Sequence, residues 1–196
     1  MKIGLFFGSF NPIHIGHLII ANYMATQTDL KKVWLVVSPQ NPLKPRKSLA
    51  PDNVRLQLAR MAIEDNSALE ASSVEFGLPK PSYTIDTLTY LKEKYPEREF
   101  VLIMGSDNLE TLTQWKNYEK ILTDYHIYVY KRPGYAGGQF DGHPRVRFFE
   151  APPLDISATY IRECLRHDRS IRYMTTDNVW EFLSNSSNLY KVESED

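Results

Sequence analysis

Two histidines three residues apart lie near the start of the chain, in a short stretch that also contains glycine and proline. His14 and His17 belong to residues 8–17, which read GSFNPIHIGH. If both lie in a first helical turn, they share one face and can reach the same anion. A helix N-terminus adds free backbone N–H groups and the positive end of the helix dipole. The stretch therefore predicts a phosphate-binding loop.

Simpler interpretations of the same residues stay open at this point. A lone histidine, glycine or proline after a strand usually marks polar surface or a turn. Two histidines at this spacing could bind a metal, but no nearby carboxylate or cysteine completes a ligand set. We expect instead that Gly8 lets the backbone turn sharply, and that Gly16 keeps the helix start free of side-chain bulk beside a ligand.

Apolar runs at regular intervals predict the elements that hold this loop. Residues 2–7 predict a buried strand before it, and residues 18–28 have helical spacing after it. Further strands are predicted at residues 32–38, 68–75, 100–105, 126–130 and 146–150. Further helices are predicted at residues 52–65, 82–95, 106–122 with a break near Trp115, from Asp155 or Ser157 onward, and 177–184. This alternation predicts an α/β fold with a doubly wound, mostly parallel sheet and helices on both faces.

The overall composition fits one ordinary folded domain. The 196 residues are 42% hydrophobic and carry 23 basic against 24 acidic side chains. We expect a single domain over residues 1–196, with residues 155–190 forming a small helical C-terminal part. A net charge of −1 excludes a global nucleic-acid footprint, so no nucleic-acid partner is expected. Whether the chain forms a homo-oligomer is left open.

The cysteine count and the hydropathy of the sequence indicate in which cellular compartment the protein is expected. Cys164 is the single cysteine, which excludes an internal disulfide and suits a reducing compartment. Because it falls in a predicted helix, we expect it to be a small buried hydrophobe. The apolar run at residues 2–7 is short and ends at Gly8, which does not fit a signal peptide, and no run reaches membrane-spanning length. A cytoplasmic protein without a membrane partner is the expectation.

A proline-rich basic loop is predicted at residues 39–51, which read PQNPLKPRKSLAP. Most such loops are solvated connectors. This loop leaves a predicted strand on the same side as the histidine loop, and ligands of open α/β sheets bind outside the carboxyl ends of the strands. Lys44, Arg46 and Lys47 could then face an anion.

Two predicted helix starts carry hydroxyl side chains. Ser82 or Thr84 is expected to cap the helix that follows, and that helix start can also present N–H groups to an anion. Ser157, Thr159 and Arg162 lie on or near the first turns of a later helix, which makes a second phosphate cradle. An N-capped helix with a surface arginine is the alternative for this later segment.

Two of these segments resemble motifs of the nucleotidylyltransferase superfamily. GSFNPIHIGH resembles its GxFxPxHxGH motif, and ISATYIR at residues 156–162 resembles the ISxTxIR motif that closes its ATP site. The resemblance implies a Rossmann-like fold in which the two histidines stabilise ATP phosphates and Lys44 of the basic loop contacts phosphate. The ATP-binding residues it implies are Gly8, Ser9, Phe10, His14, Gly16, His17, Ser157, Thr159 and Arg162.

The middle of the chain narrows the resemblance to one family. PSYTIDTL, IMGSDNLETLTQW and KRPGY, together with the two motifs, look like bacterial nicotinate-nucleotide adenylyltransferases over residues 2–169. Such proteins join ATP and nicotinic acid mononucleotide in NAD synthesis. The resemblance implies that Trp115 stacks on the pyridine ring, although most tryptophans are simply core. The implied mononucleotide-binding residues are Asn11, Lys44, Ser82, Tyr83, Thr84, Gly105, Asp107 and Trp115.

The reaction expected from this resemblance is a direct transfer. The 5′-phosphate of the mononucleotide attacks the α-phosphorus of ATP, and pyrophosphate leaves. A phosphate monoester is already ionised at neutral pH, so no protein nucleophile is needed. His14, His17, Lys44 and Arg162 are the predicted catalytic residues. Mg²⁺ is expected to bind mainly through the ATP phosphates, without a protein metal site.

Three alternatives remain. The acceptor could be pantetheine phosphate, although such adenylyltransferases are usually shorter and lack the SYTIDTL and GSDN…TQW segments. It could also be nicotinamide mononucleotide, which would depend on the pocket around Thr84. From another class, the chain could be a nucleotide-binding regulator without catalysis, but the presence of both histidines and Arg162 argues against this.

Overall fold

The computed structural model describes residues 1–39, 49–135, 138–152, 154–186 and 189–190. Within these residues, the strands are β1 Lys2–Gly8, β2 Lys32–Val37, β3 Leu69–Ser72, β4 Glu99–Gly105, β5 His126–Tyr130 and β6 Val146–Phe149. All neighbouring strands pair in parallel, in the order β3-β2-β1-β4-β5-β6. The order reverses between β1 and β4, which is the arrangement of a dinucleotide-binding sheet.

The helices alternate with the strands along the same described ranges. They are α1 Ile15–Gln27, α2 Asp52–Ala62, α3 Thr84–Lys94, α4 Ser106–Glu110, α5 Tyr118–Asp124, α6 Ala158–Arg166 and α7 Asp177–Asn185. In this part of the chain, no helix combines the length and the hydropathy that crossing a bilayer requires.

Successive side chains of the strands point to opposite faces, and each face has its own buried core. On β1, Leu5 belongs to one core and Phe6 to the other. Residues of α1, α2, α6 and α7 contribute to the core around Phe6, and residues of α3, α4 and α5 to the core around Leu5. The predicted doubly wound Rossmann-like fold with helices on both faces is therefore confirmed.

Local predictions agree with the structure in two places. The predicted break near Trp115 is present, since α4 gives way to a 3₁₀ turn at Leu112–Gln114 and α5 begins after Asn117, which adopts a left-handed conformation (φ 53°). Cys164 is buried on α6, as expected for a small hydrophobe.

Two other local predictions are wrong. The third strand ends at Ser72 rather than at residue 75, because the chain turns into a 3₁₀ helix at Val74–Gly77 and buries Glu75 behind α3, where its carboxylate accepts a hydrogen bond from Thr87 Oγ1 (2.8 Å). The N-cap of α3 is Tyr83, not Ser82 or Thr84, and no side chain of the described residues caps this helix. The Ser82 hydroxyl is instead buried, and it has no hydrogen-bond partner within the same residues.

Candidate active site

A cleft of about 980 Å³ opens at the carboxyl edge of the sheet. It lies beside the reversal of strand order, where ligands of open α/β sheets bind. Residues from both predicted phosphate-binding motifs line it: Ser9, Phe10, Asn11, His14, Gly16, His17, Ser157, Thr159 and Arg162. The fold thus joins two segments that lie far apart in the sequence into one cavity.

The two histidines form a stacked pair at the start of α1. His14 is the N-cap and His17 the third helical residue, and their ring centroids are 3.7 Å apart. The backbone N–H of His14 donates to Nδ1 of His17 (3.3 Å). Because Nδ1 accepts, a neutral His17 carries its proton on Nε2, and it can donate that proton to an anion.

His14 is uncharged at neutral pH. Its side chain is buried, and this burial, together with the positive charge of Arg132, lowers its pKa from 6.5 to about 4. The neutral imidazole can donate one hydrogen bond and accept another in the cleft.

The start of α1 is less open than the sequence suggests. The N–H of Ile15 donates to the carbonyl of Met174 (2.9 Å), in the loop before α7. A Cβ on Gly16 would lie 3.1 Å from the His14 ring, so this glycine makes room for the imidazole beside the cleft. The sharp turn after β1 occurs at Phe10 (φ 42°), not at Gly8, where a Cβ would instead collide with the Phe10 ring.

Arg162 connects the two motifs directly. From α6, its Nη1 donates to the carbonyl of Asn11 (2.8 Å) and its Nη2 to Oγ1 of Thr159 (3.3 Å). Ser157 is the N-cap of α6 and accepts from the N–H of Tyr160, which settles the predicted helix start. Burial lowers the pKa of the Arg162 guanidinium, but an arginine side chain stays charged in proteins.

A second arginine in the cleft was not singled out from the sequence. Arg132 follows β5 and lines the cleft, where its Nη1 pairs with Asp107 (3.2 Å) and its Nη2 donates to the hydroxyl of Tyr130 (3.1 Å). Its backbone N–H is fixed by Oγ of Ser106 (2.9 Å). The KRPGY segment that contains it contributed to the family resemblance, and its position directly after a strand could have identified it.

Arg55 holds the loops behind the cleft together, and no sequence signal marked it. Its side chain is fully buried on α2. It donates to carbonyl oxygens of Ala50 (3.0 Å), Ser38 (2.9 Å), Pro39 (3.4 Å) and Ser9, and to the carboxylate of Asp52 (2.7 Å). The N–H of Ala50 in turn donates to Oδ1 of Asn11 (3.0 Å). Arg55 thus fixes the ends of β1 and β2 relative to each other.

The residues predicted to bind the mononucleotide fall into two groups. Asn11 lines the cleft, and Asp107 adjoins it through the ion pair with Arg132. Gly105 ends β4 directly before this aspartate. The others lie outside the cleft lining, around the start of α3 and after α4: Ser82, Tyr83, Thr84 and Trp115.

The side chains around the start of α3 and after α4 are held by packing and by an ion pair. Trp115 is half-buried against the second core, and its indole Nε1 is buried with no hydrogen-bond partner among the described residues. Lys116 pairs with Asp86 (2.8 Å), and its ammonium lies 4.8 Å from the ring centroid of Tyr83. Tyr83 and Thr84 at the start of α3 are half-buried as well.

Part of the prediction falls outside the described residues. Lys44, Arg46 and Lys47 belong to residues 40–48, so their phosphate contacts stay predictions. In the part of the chain that the structure describes, no three His, Cys, Asp or Glu side chains gather into a cluster that could hold a metal ion.

Comparisons with known proteins agree with the sequence motifs. Residues 5–164 match the family model described as cytidylyltransferase-like. A protein of Cytophaga hutchinsonii named a probable nicotinate-nucleotide adenylyltransferase is 55% identical over 183 residues, which cover 93% of this chain and 95% of that protein. A protein of Flavobacterium psychrophilum with the same name is 49% identical over 193 residues, covering 97% of this chain and 100% of that protein.

The fold also matches a solved structure. The nicotinic acid mononucleotide adenylyltransferase of Plasmodium falciparum, complexed with NaAD, superposes with a TM-score of 0.81. The match covers 96% of this chain and 97% of that chain, at 20% sequence identity. At this identity the comparison supports the architecture of the sheet and helices.

Proposed function

We infer that this chain, which belongs to the nicotinate-nucleotide adenylyltransferase family, transfers the adenylyl group of ATP to nicotinic acid mononucleotide. The products are nicotinic acid adenine dinucleotide and pyrophosphate, in a step of NAD biosynthesis. The observation that carries the catalytic part of this inference is the convergence of His17 and Arg162 on one cleft.

The proposed reaction is a single in-line displacement. The 5′-phosphate of the mononucleotide is a dianion near neutral pH and attacks the α-phosphorus of ATP without a protein nucleophile. Catalysis is then positioning and charge stabilisation. His17 donates from Nε2 to a phosphate oxygen whose charge grows in the transition state, and the neutral His14 ring holds it in place by stacking.

Three cationic side chains line the described cleft: Lys131, Arg132 and Arg162. Lys131 pairs with Glu150 (2.8 Å), and the two arginines are proposed to have different tasks. Arg162 lies where the two motifs meet. Its planar guanidinium can donate two parallel hydrogen bonds to oxygens of the leaving pyrophosphate. Arg132 is already paired with Asp107, so it is proposed to orient that carboxylate toward a substrate hydroxyl rather than to bind phosphate. Lys44 is proposed to add a further phosphate contact.

Mg²⁺ is proposed to arrive bound to ATP. Asp155 is the one carboxylate in the cleft lining among the described residues, a donor set that fits an ion held chiefly by phosphate oxygens and water. Such an ion would neutralise part of the charge on the leaving pyrophosphate.

The pyridine ring is proposed to stack on Trp115, with its carboxylate at the start of α3. In the part of the chain that the structure describes, no side chain caps the first turn of α3, so N–H groups near Thr84 can donate to a carboxylate. Nicotinamide presents an NH₂ group at the same place, which cannot accept these hydrogen bonds. A site built for one hydrogen-bonding pattern rejects the other strongly.

The test is pyrophosphate release with ATP and Mg²⁺, offering nicotinic acid mononucleotide, nicotinamide mononucleotide and phosphopantetheine separately. Turnover with the first alone supports both the reaction and the acceptor. Turnover with phosphopantetheine alone would keep the ATP site and overturn the acceptor. No pyrophosphate release with any of the three would contradict the proposed reaction and favour a nucleotide-binding regulator without catalysis.

A further inference from the structure

Two buried polar atoms have no hydrogen-bond partner among the described residues. They are Nε of Arg162, on α6, and the hydroxyl of Tyr190, after the end of α7. The Tyr190 side chain is 7% exposed. The arginine Nε–H can only donate, and the phenol oxygen can accept. Buried polar groups in folded proteins are nearly always satisfied, so this complementary pair calls for an explanation.

The packing places Tyr190 beside the arginine face of α6. Arg162 and Arg166 lie one helical turn apart, and Nε of Arg166 donates to the backbone carbonyl of Tyr190 (3.3 Å). The Tyr190 ring belongs to the same buried core as Ile161 and Cys164 of α6. Burial raises the pKa of Tyr190, and the positive charge of Arg162 acts against this rise, as expected of close neighbours.

We propose that Tyr190 is a positioning residue that orients Arg162 when phosphates enter the cleft. In the structure, Nη1 of Arg162 donates to a neutral carbonyl, that of Asn11. A phosphate oxygen is a stronger acceptor for a guanidinium, so bound ATP turns the fork away from this carbonyl. This rotation of the guanidinium brings the Nε–H of Arg162 within hydrogen-bond reach of the Tyr190 hydroxyl. The new hydrogen bond then holds the guanidinium in its phosphate-binding orientation. This inference rests on the proposed role of Arg162 in binding pyrophosphate.

Tyr190→Phe separates this role from simple packing. If the hydroxyl only fills space, removing an unbonded buried group leaves activity unchanged and leaves the unliganded protein as stable or more stable. If it positions Arg162, kcat/KM for ATP falls about tenfold, the worth of one hydrogen bond to a charged group. The KM for nicotinic acid mononucleotide should change less than about twofold, because Arg162 is not proposed to touch that substrate.

Tyr125→Phe is the matched control. Tyr125 is equally buried, but it packs in the other core, and its hydroxyl hydrogen-bonds to Thr89. Its substitution should lower the thermal midpoint and leave kcat/KM for ATP unchanged. We therefore expect Tyr190→Phe to lower kcat/KM for ATP without lowering the thermal midpoint, and Tyr125→Phe to lower the thermal midpoint without changing kcat/KM for ATP.

Calorimetric titration with pyrophosphate and Mg²⁺ tests Tyr190 independently of turnover. We expect Tyr190→Phe to weaken pyrophosphate binding about tenfold in the wild-type background and to have no further effect on Arg162→Lys, which lacks the donor at Nε. Wild-type affinity in Tyr190→Phe would overturn the inference. Wild-type protein that binds pyrophosphate but shows no adenylyl transfer would overturn the proposed function instead.

Discussion

The phosphate half and the pyridine half of the proposed site differ in how their side chains are held. On the phosphate side, His17 and Arg162 line an open cleft and are held by hydrogen bonds. On the pyridine side, Trp115 packs against the second core with its indole N–H buried, and Lys116 is engaged with Asp86. Hydrogen bonds preorganise the donors of the phosphate half, whereas the indole of the pyridine half is held by packing.

This difference assigns different tasks to the two halves. Preorganised donors lower the barrier because they need not reorganise during the reaction. Stacking on an indole and hydrogen bonds to a carboxylate far from the reacting phosphate stabilise the bound mononucleotide and its transition state alike, so they lower KM more than they raise kcat. Substitutions in the phosphate half should therefore lower kcat, and substitutions in the pyridine half should raise the KM of the mononucleotide.

His17→Ala should have the largest effect, because it removes a donor to the developing phosphate charge. We expect kcat to fall about 10³-fold, as for the loss of one preorganised donor. His167→Ala, at the exposed C-cap of α6, serves as the control and should retain full activity. A fall of less than about threefold for His17→Ala would contradict the role of the preorganised half.

Arg162→Lys keeps the charge and removes the planar fork. A lysine cannot bind a phosphate through two parallel N–H donors as a planar guanidinium can, so kcat/KM for ATP should fall about 10²-fold. The KM for the mononucleotide should stay within about twofold. Steady-state kinetics with each substrate varied in turn measure both values, and an equal rise in both KM values would argue against a division into halves.

Trp115→Ala should act on the other half. Loss of aromatic stacking is expected to raise the KM for nicotinic acid mononucleotide about tenfold, with the KM for ATP unchanged. Trp180→Ala is a useful comparison, since this half-buried indole packs against the opposite core. If Trp115→Ala destabilises the protein without changing the mononucleotide KM, this tryptophan is a core residue.

Acid should weaken the folded protein through His14. Its pKa is about 4 in the folded state and 6.5 in its ordinary range, so the unfolded chain binds a proton first as the pH falls. The free energy of unfolding therefore decreases between about pH 6.5 and pH 4, by up to about 3 kcal/mol. Urea unfolding at pH 7 and pH 4.5 measures this decrease, which should be smaller in His14→Gln. An equal decrease in both proteins would remove His14 as its cause.

The sequence predicted the sheet, the helix break at Trp115 and, apart from Gly8, the motif residues that line the cleft, because each follows from local periodicity or from a contiguous motif. It did not reveal Arg55, whose acceptors come from three separate segments that only the fold brings together. Nor did it show that the carbonyl of Met174 occupies the N–H of Ile15. Such contacts depend on tertiary packing, which local pattern does not encode.

The stereochemical course at the α-phosphorus tests most directly the claim that the cleft only positions two substrates for one displacement. ATP with a chiral sulfur at the α-phosphorus would be turned over with nicotinic acid mononucleotide, and the configuration of the dinucleotide would be determined by phosphorus NMR. A single in-line attack predicts inversion of configuration. Retention would require two displacements through a covalent protein intermediate, and it would contradict the account.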